Sequence, residues 1–179
     1  LHGGFYGDAA VDSGGNLYVA GYFDGTKDFD PGARVYELKV PSGGTNGYLA
    51  KYDPTGKLAW ARQVVSSSRT ANMGVGLDRV GNVYVTGFFE STATFESTVL
   101  TSTGFRDGHL AKYTSAGSLV WVRHFGQGSG NLESFGITVD DGGNSYVTGM
   151  FYGSAQFGPY AFTATEAYDH YVASFSGSD

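Results

Sequence analysis

Three short segments of the chain carry apolar side chains at successive positions instead of at every second one. They are residues 15–23, 81–89 and 143–151, which read GNLYVAGYF, GNVYVTGFF and GNSYVTGMF. As a β-strand, the second copy would place Tyr84 and Phe88 on one face and Val83 and Val85 on the other, because side chains alternate between the two faces. Both faces would be apolar, so such a strand has to be covered on both sides.

Each copy belongs to a longer repeat with the same order of strands and turns. A strand that ends in Asp comes first, at residues 5–12, 71–78 and 134–140, and a Gly-Asn turn joins it to the segment above. A variable stretch leads to a third strand, at residues 48–52, 109–113 and 171–175. A fourth strand of the form Leu-x-Trp-x-Arg follows at residues 58–62 and 119–123, but the third copy stops before it. The chain is therefore an array of one repeated β unit.

Four antiparallel strands with two apolar faces are typical of one blade of a β-propeller, in which each blade packs between two others. We predict an all-β chain with a single domain over residues 1–179, built of about three blades at residues 5–64, 71–125 and 133–176. The last blade would lack its outer strand. A closed propeller needs about four blades or more, so this one would be incomplete or open. A β-sandwich would show a cleaner alternation of polar and apolar residues.

The repeated phrases Asp-x-x-Gly-Asn-x-Tyr-Val-Thr-Gly, Leu-Ala-Lys-Tyr and Leu-x-Trp-x-Arg resemble the bacterial β-propeller repeat family called SBBP, as does Asp-Phe-Asp-Pro-Gly at residues 28–32. The resemblance covers nearly the whole chain. The resemblance implies a module of a large exported or surface protein of a bacterium, and hence an extracellular or cell-surface location. It implies no particular activity, because most such repeats have none assigned. The third copy departs from the pattern, with Ser174 in place of the lysine.

The composition agrees with a β-structure and disfavours two classes of partner. The chain has 29 glycines, 13 tyrosines and 13 phenylalanines but only 4 prolines, which indicates many short strands joined by tight turns. The net charge is −6 and the basic residues are scattered singly, so nucleic acid is not expected as a partner. No apolar run approaches the about 20 residues that a membrane-spanning helix needs.

The variable loops are the predicted binding surface. Strand order places the segments between second and third strands on one rim, together with the linkers between blades. This rim holds residues 26–46, 91–107, 126–133 and 154–169, which differ most among the copies. We expect a protein or a glycan as the partner, and the alternative is loops that vary without a functional constraint. The candidate binding residues are Lys27, Arg34, Tyr36, Glu96, Arg106 and Tyr160.

Three carboxylates in the first variable loop are the candidate metal ligands. Asp24, Asp28 and Asp30 lie within seven residues, and oxygen ligands at this spacing suit calcium, although the EF-hand pattern is not met. The alternative is a set of solvated turn carboxylates. No other cofactor is expected, because the sequence shows no zinc-binding histidine spacing, no phosphate-binding glycine loop and no G-x-S-x-G motif.

The repeated polar and aromatic residues are assigned to the scaffold. The asparagines follow an aspartate by four residues, which fits the capping of a turn. The tryptophans are expected to be mostly buried between blades, and Lys51 is expected to reach a carbonyl or carboxylate of a neighbouring blade. The predicted structural residues are Asn16, Asn82, Asn144, Trp60 and Trp121.

Three functions remain open from the sequence. The leading one is a non-catalytic binding or scaffold module of an exported protein. The second is a structural subunit that closes into a homo-oligomer or polymerises through open strand edges. A hydrolase or lyase is less favoured, because the first strands, which lie nearest the propeller axis, offer glycines instead of a convergent set of titratable groups.

Overall fold

The computed structural model describes residues 7–41 and 43–177, and every regular element within them is a β-strand. The all-β prediction is therefore confirmed. In chain order the strands are β1 (Asp8–Val11), β2 (Leu17–Phe23), β3 (Thr26–Asp28), β4 (Glu37–Lys39), β5 (Asn46–Tyr52), β6 (Leu58–Ser66), β7 (Thr70–Leu77), β8 (Val83–Phe89), β9 (Thr92–Phe95), β10 (Thr98–Thr101), β11 (Asp107–Tyr113), β12 (Leu119–Phe125), β13 (Asn131–Val139), β14 (Ser145–Tyr152), β15 (Ser154–Phe157), β16 (Tyr160–Thr163) and β17 (Asp169–Phe175).

The repeated strands form three antiparallel units. Unit 1 consists of β1, β2, β5 and β6, unit 2 of β7, β8, β11 and β12, and unit 3 of β13, β14 and β17. Neighbours in each unit follow chain order, as predicted for a propeller blade. In the described part of the chain β17 pairs with β14 only, so its other edge is open. The sheets do not close on one another, which is consistent with an incomplete propeller.

Each variable stretch folds into a short hairpin. These hairpins were not predicted from the sequence, because their strands lie outside the phrases shared by the three copies. The hairpins are β3–β4, β9–β10 and β15–β16. Phe29 and Phe95 anchor the first two in the core and are almost fully buried. The hairpin of unit 2 also pairs with the end of β6 in unit 1, at Val65 opposite Thr94 and Ser66 opposite Ala93. The variable stretches therefore help to join successive units.

Unit 2 packs between units 1 and 3, and this arrangement sets the burial of the repeated strand. All but one residue of β8 are buried, whereas β14 alternates between buried and exposed or half-buried residues. Both faces of β8 are covered, as its apolar pattern predicts, but one face of β14 remains in solvent. Close packing of the first strands requires glycine, because a Cβ on Gly74 would lie 3.0 Å from the carbonyl oxygen of Phe135.

Candidate functional site

The Asp-Asn turns have the same geometry in all three units. In unit 1, Asp12 Oδ1 accepts hydrogen bonds from the backbone N–H groups of Gly14 and Asn16, both at 2.9 Å, and Oδ2 accepts one from Asn16 Nδ2 at 2.9 Å. The Tyr18 hydroxyl donates to the same Oδ2 at 3.2 Å. Asp78 and Asp140 accept the equivalent bonds.

These turn carboxylates act as caps for the backbone. Hydrogen bonds from the side chain and backbone of Asn144 lower the pKa of Asp140, because they favour its charged form. The fourth residue of each turn, counted from the aspartate, is a glycine with positive φ, for example 79° at Gly15. The aspartates and asparagines of the three turns are thus engaged in the scaffold.

The outer strand of unit 1 is bonded to a turn of unit 2. Trp60 Nε1 and Lys51 Nζ both donate to the Ser115 carbonyl oxygen, at 3.2 and 3.3 Å. Arg62 Nε donates to the Gly117 carbonyl oxygen at 2.8 Å, and its guanidinium lies 5.5 Å from the centre of the Trp60 ring system. The charge-assisted hydrogen bonds tie one repeat to the next, whereas the cation–π contact lies within β6.

The same connection is incomplete between units 2 and 3. Arg123 Nη1 donates to the Ser176 carbonyl oxygen at 2.9 Å, and its guanidinium lies 4.5 Å from the ring centre of Trp121. The repeat makes Gly177 the counterpart of Ser115. Trp121 Nε1, however, is buried without a hydrogen-bond partner in the part of the chain that the structure describes. Both tryptophans are partly buried and pack against the apolar core clusters.

The three candidate calcium ligands all have partners in their own loop. Asp24 forms an ion pair with Lys27 at 3.4 Å. Asp28 Oδ1 accepts two backbone N–H groups, whereas Asp30 accepts one and also pairs with Arg34 at 2.9 Å. No cluster of three or more His, Asp or Glu side chains that could hold a metal ion occurs within residues 7–41 and 43–177. The carboxylates thus stabilise the loop through these contacts, and a calcium titration of the chain tests the predicted metal site.

Three of the candidate rim residues contact the outer strand of their own unit. Arg34 Nη2 donates to the Leu58 carbonyl oxygen at 3.3 Å, and the Tyr36 hydroxyl donates to the Ala61 carbonyl oxygen at 3.2 Å. In unit 2, Glu96 Oε1 accepts a hydrogen bond from the backbone N–H of Leu119 at 3.1 Å. These residues therefore hold β6 and β12 in place, whatever else they bind.

Arg106 forms the centre of an ion-pair cluster between units 2 and 3. Its Nε lies 2.9 Å from Glu90 Oε1, its Nη1 pairs with Glu133, and its guanidinium lies 4.3 Å from the centre of the Phe88 ring. Sequence reasoning missed both glutamates, because neither belongs to a repeated motif. Tyr160, by contrast, is mostly exposed on β16.

One group of exposed aromatic residues lies on the predicted binding rim or, for Tyr152, at the strand end next to it. Phe105, Tyr152 and Tyr168 are 63%, 55% and 50% exposed, and we call them the rim patch. The rings of Tyr152 and Tyr168 are 6.2 Å apart. The backbone N–H of Phe105 donates to the Gly130 carbonyl oxygen at 3.0 Å, and the next residue, Asn131, pairs with Tyr152. The sequence alone could not single these residues out, since aromatic residues also fill the core.

His109 makes a packing contact in the core, and His124 contacts a buried aspartate. His109 is fully buried, and its Nε2 lies 3.0 Å from Asn72 Oδ1. Burial, helped by the nearby His124, lowers the pKa of His109 to about 3. His124 Nε2 lies 2.7 Å from Oδ2 of the buried Asp107. His109 occupies the position that Tyr48 and Tyr171 hold in the other units, which agrees with a role in packing.

The strand order, the open array of sheets and the bonds between successive units define the class of protein. It is an all-β repeat protein of the β-propeller type. The described residues contain no helix that is long and apolar enough to cross a membrane.

Comparison with known proteins agrees with this class. Residues 120–150 match the SBBP family model, described as a beta-propeller repeat, which confirms the resemblance inferred from the repeated phrases. The match runs from the outer strand of unit 2 to the second strand of unit 3.

A more distant similarity is to an uncharacterized WD repeat-containing protein of Acanthamoeba polyphaga mimivirus, with 26% identity over 170 residues. That match covers 80% of this chain and 12% of the viral protein, so the chain spans about an eighth of the relative's length. Both comparisons support a repeat-based binding or scaffold module.

Proposed function

We propose that the chain is a non-catalytic binding module and that its rim patch contacts a protein partner. The observation that carries this proposal is the cluster of Phe105, Tyr152 and Tyr168, which expose large aromatic rings on the rim where the repeats diverge. Large aromatic residues are enriched at protein interfaces, where they contribute much of the binding energy. Repeat arrays also provide extended surfaces on which such contacts form.

A photo-crosslinking experiment tests this function. The benzophenone amino acid replaces Tyr168 in one variant and Val80 in a matched control, because Val80 is exposed on the opposite rim, in the Asp-Asn turn of unit 2. With an extract of the source organism, we expect a discrete protein adduct from position 168 only. The adduct should disappear when Phe105 and Tyr152 are also changed to serine. Identical adducts from both positions, or none from position 168, would contradict the proposal.

A glycan is the other ligand class to be tested at the rim patch. The purified chain and its Tyr152→Ser variant are applied to a glycan array in parallel. Binding of the parent chain alone would assign the patch to a glycan in place of a protein.

Location at the surface of a bacterial cell is part of the proposal and rests on the family resemblance. Protease treatment of intact cells of the source organism tests it. Cleavage of the protein while cytosolic marker proteins remain intact supports an exposed location, and full protection contradicts it.

A second candidate function is self-assembly. It is favoured by the open edge of β17 and by the uncovered face of β14, since unpaired strand edges readily add another strand. Light scattering over a wide concentration range distinguishes the two functions. A closed oligomer or a fibre supports assembly, whereas a monomer at all concentrations contradicts it.

A further inference from the structure

The open edge of unit 3 borders a cleft that corresponds to the position of the outer strand in the other units. The cleft has a volume of about 760 Å³ and is lined by Phe157, Tyr160, Phe162, Tyr171 and Phe175, among others; we call it the outer-strand slot. In unit 1, Leu58 and Ala61 of β6 belong to a buried core cluster together with aromatic residues of that unit. An apolar strand therefore fits this space.

The two filled units show which strand fits and in which register. In both, the third strand pairs antiparallel with a Leu-x-Trp-x-Arg strand, and the tryptophan lies opposite a lysine, Lys51 or Lys112. The tryptophan ring lies 6.1 Å from that of Tyr18 in unit 1 and 6.0 Å from that of Tyr84 in unit 2. The same register on β17 places leucine opposite Phe175 and tryptophan opposite Ser174.

Charge specifies one further position of a strand that binds at this edge. In unit 2, Asp107 accepts hydrogen bonds from the backbone and hydroxyl of Thr103 and pairs with His124, the residue after the motif's arginine. In unit 3, Asp169 accepts the same two bonds from Thr165, but no residue of the described chain occupies the place of His124.

Unit 1 carries neutral residues at the two equivalent positions, and Asn46 Nδ2 and Gln63 Oε1 have no hydrogen-bond partner among the described residues. Asn46 stands at the position of Asp107, and Gln63 at that of His124. The aspartate in unit 3 therefore favours histidine over glutamine in a strand that binds there.

We propose that the outer-strand slot binds an extended segment of another polypeptide with the sequence Leu-x-Trp-x-Arg-His, in antiparallel pairing with β17. The backbone of the segment pairs with the open edge, its leucine enters the apolar cleft and its histidine bonds to Asp169. This strand addition uses a surface different from the rim patch, so it is independent of the binding function proposed for that patch. It competes with self-assembly, which would use the same edge of β17.

A synthetic peptide with the sequence of residues 117–125, labelled with a fluorophore, is the probe. Fluorescence anisotropy should show saturable binding to the chain, and the His124→Gln peptide should bind more weakly, on the order of tenfold. The Asp169→Asn variant should narrow the difference between the two peptides, because it removes the carboxylate to which the histidine bonds, as His124 bonds to Asp107 in unit 2. Hydrogen exchange should show that the peptide protects residues 169–175 but not the exposed strand β10.

The controls separate recognition from general effects. Asp141→Asn changes an exposed carboxylate on the opposite rim and should leave the peptide affinity unchanged. The Trp121→Ala peptide and a scrambled peptide should not bind. If Asp169→Asn does not fold, the His124→Gln, Trp121→Ala and scrambled peptides still test the proposal on the parent chain.

Three results would overturn the proposal. They are the absence of saturable binding, protection at β10 in place of β17, and an equal effect of the His124→Gln peptide on the parent chain and on Asp169→Asn. Protection of β17 in a dimer of the chain without peptide would assign the slot to a second copy and would overturn it as well.

Discussion

Truncation of equivalent tyrosines in units 2 and 3 should separate the contribution of the repeat from that of the neighbouring unit. Tyr84 and Tyr146 donate hydroxyl hydrogen bonds to Asp78 and Asp140 at 3.2 and 3.3 Å, so alanine removes the same local bond from each. Their rings differ in burial, because Tyr84 is 0% exposed and Tyr146 is 39% exposed.

The expected costs follow from this difference in burial. An aromatic side chain buries roughly 150–250 Å², worth ~4–6 kcal/mol at ~25 cal/mol per Å², and truncation of a buried one costs about 3–5 kcal/mol. We expect Tyr84→Ala to lower the free energy of unfolding by about 4 kcal/mol. Tyr146→Ala should lower it by about 2 kcal/mol, because part of the ring is already in water and solvent can fill the space.

Urea unfolding followed by circular dichroism measures both variants against the parent chain. The Tyr84→Phe and Tyr146→Phe variants serve as controls, since they remove the hydroxyl but keep the ring. Equal costs for the two alanine variants, or a larger cost at Tyr146, would refute the reasoning that packing of unit 2 between its neighbours sets the difference.

Three further predictions follow from individual contacts. Trp60→Phe should destabilise the chain by about 0.5–1.5 kcal/mol more than Trp121→Phe in urea unfolding, because Trp60 donates to the Ser115 carbonyl oxygen, whereas Trp121 Nε1 has no hydrogen-bond partner among the described residues; equal costs would contradict this. The pKa of His109 is lowered to about 3 in the folded chain, below about 6.5 in the unfolded one, so its contribution to stability is complete above pH ~6.5 and is lost as the pH falls towards 3. His109→Tyr should therefore weaken the dependence of the urea midpoint on pH between pH ~5 and ~6.5, a range above the ordinary carboxyl pKa values. An unchanged pH dependence would disprove its assignment to His109. Millimolar calcium should leave the melting temperature unchanged, because Asp30 and its neighbouring carboxylates already have partners in their loop; a rise would establish the calcium site instead.

The sequence predicted the parts of the structure that depend on residues close together in the chain. The turn from Asp12 to Asn16 is closed by bonds within five residues, and its geometry recurs wherever the same residues recur. The two-sided apolar pattern of residues 83–89 likewise indicated a strand covered on both faces, and β8 in the middle unit has that environment. Local hydrogen bonding and side-chain alternation therefore account for the units and their strand order.

Only the tertiary structure decided the contacts between residues far apart in the sequence. The ion pairs of Arg106 with Glu90 and Glu133 join residues 16 and 27 positions apart and belong to no motif. Glu96 was predicted as a rim residue for binding, yet its carboxylate accepts a bond from the outer strand of its own unit.

The same tyrosine of the repeat is buried in units 1 and 2 but exposed in unit 3. A repeated sequence specifies the same strand in every copy. The burial of that strand and the partners available to its hydrogen-bonding groups depend on which unit packs beside it. Because burial is a property of the neighbours in space, the outer-strand slot and the rim patch could be located only from the folded chain.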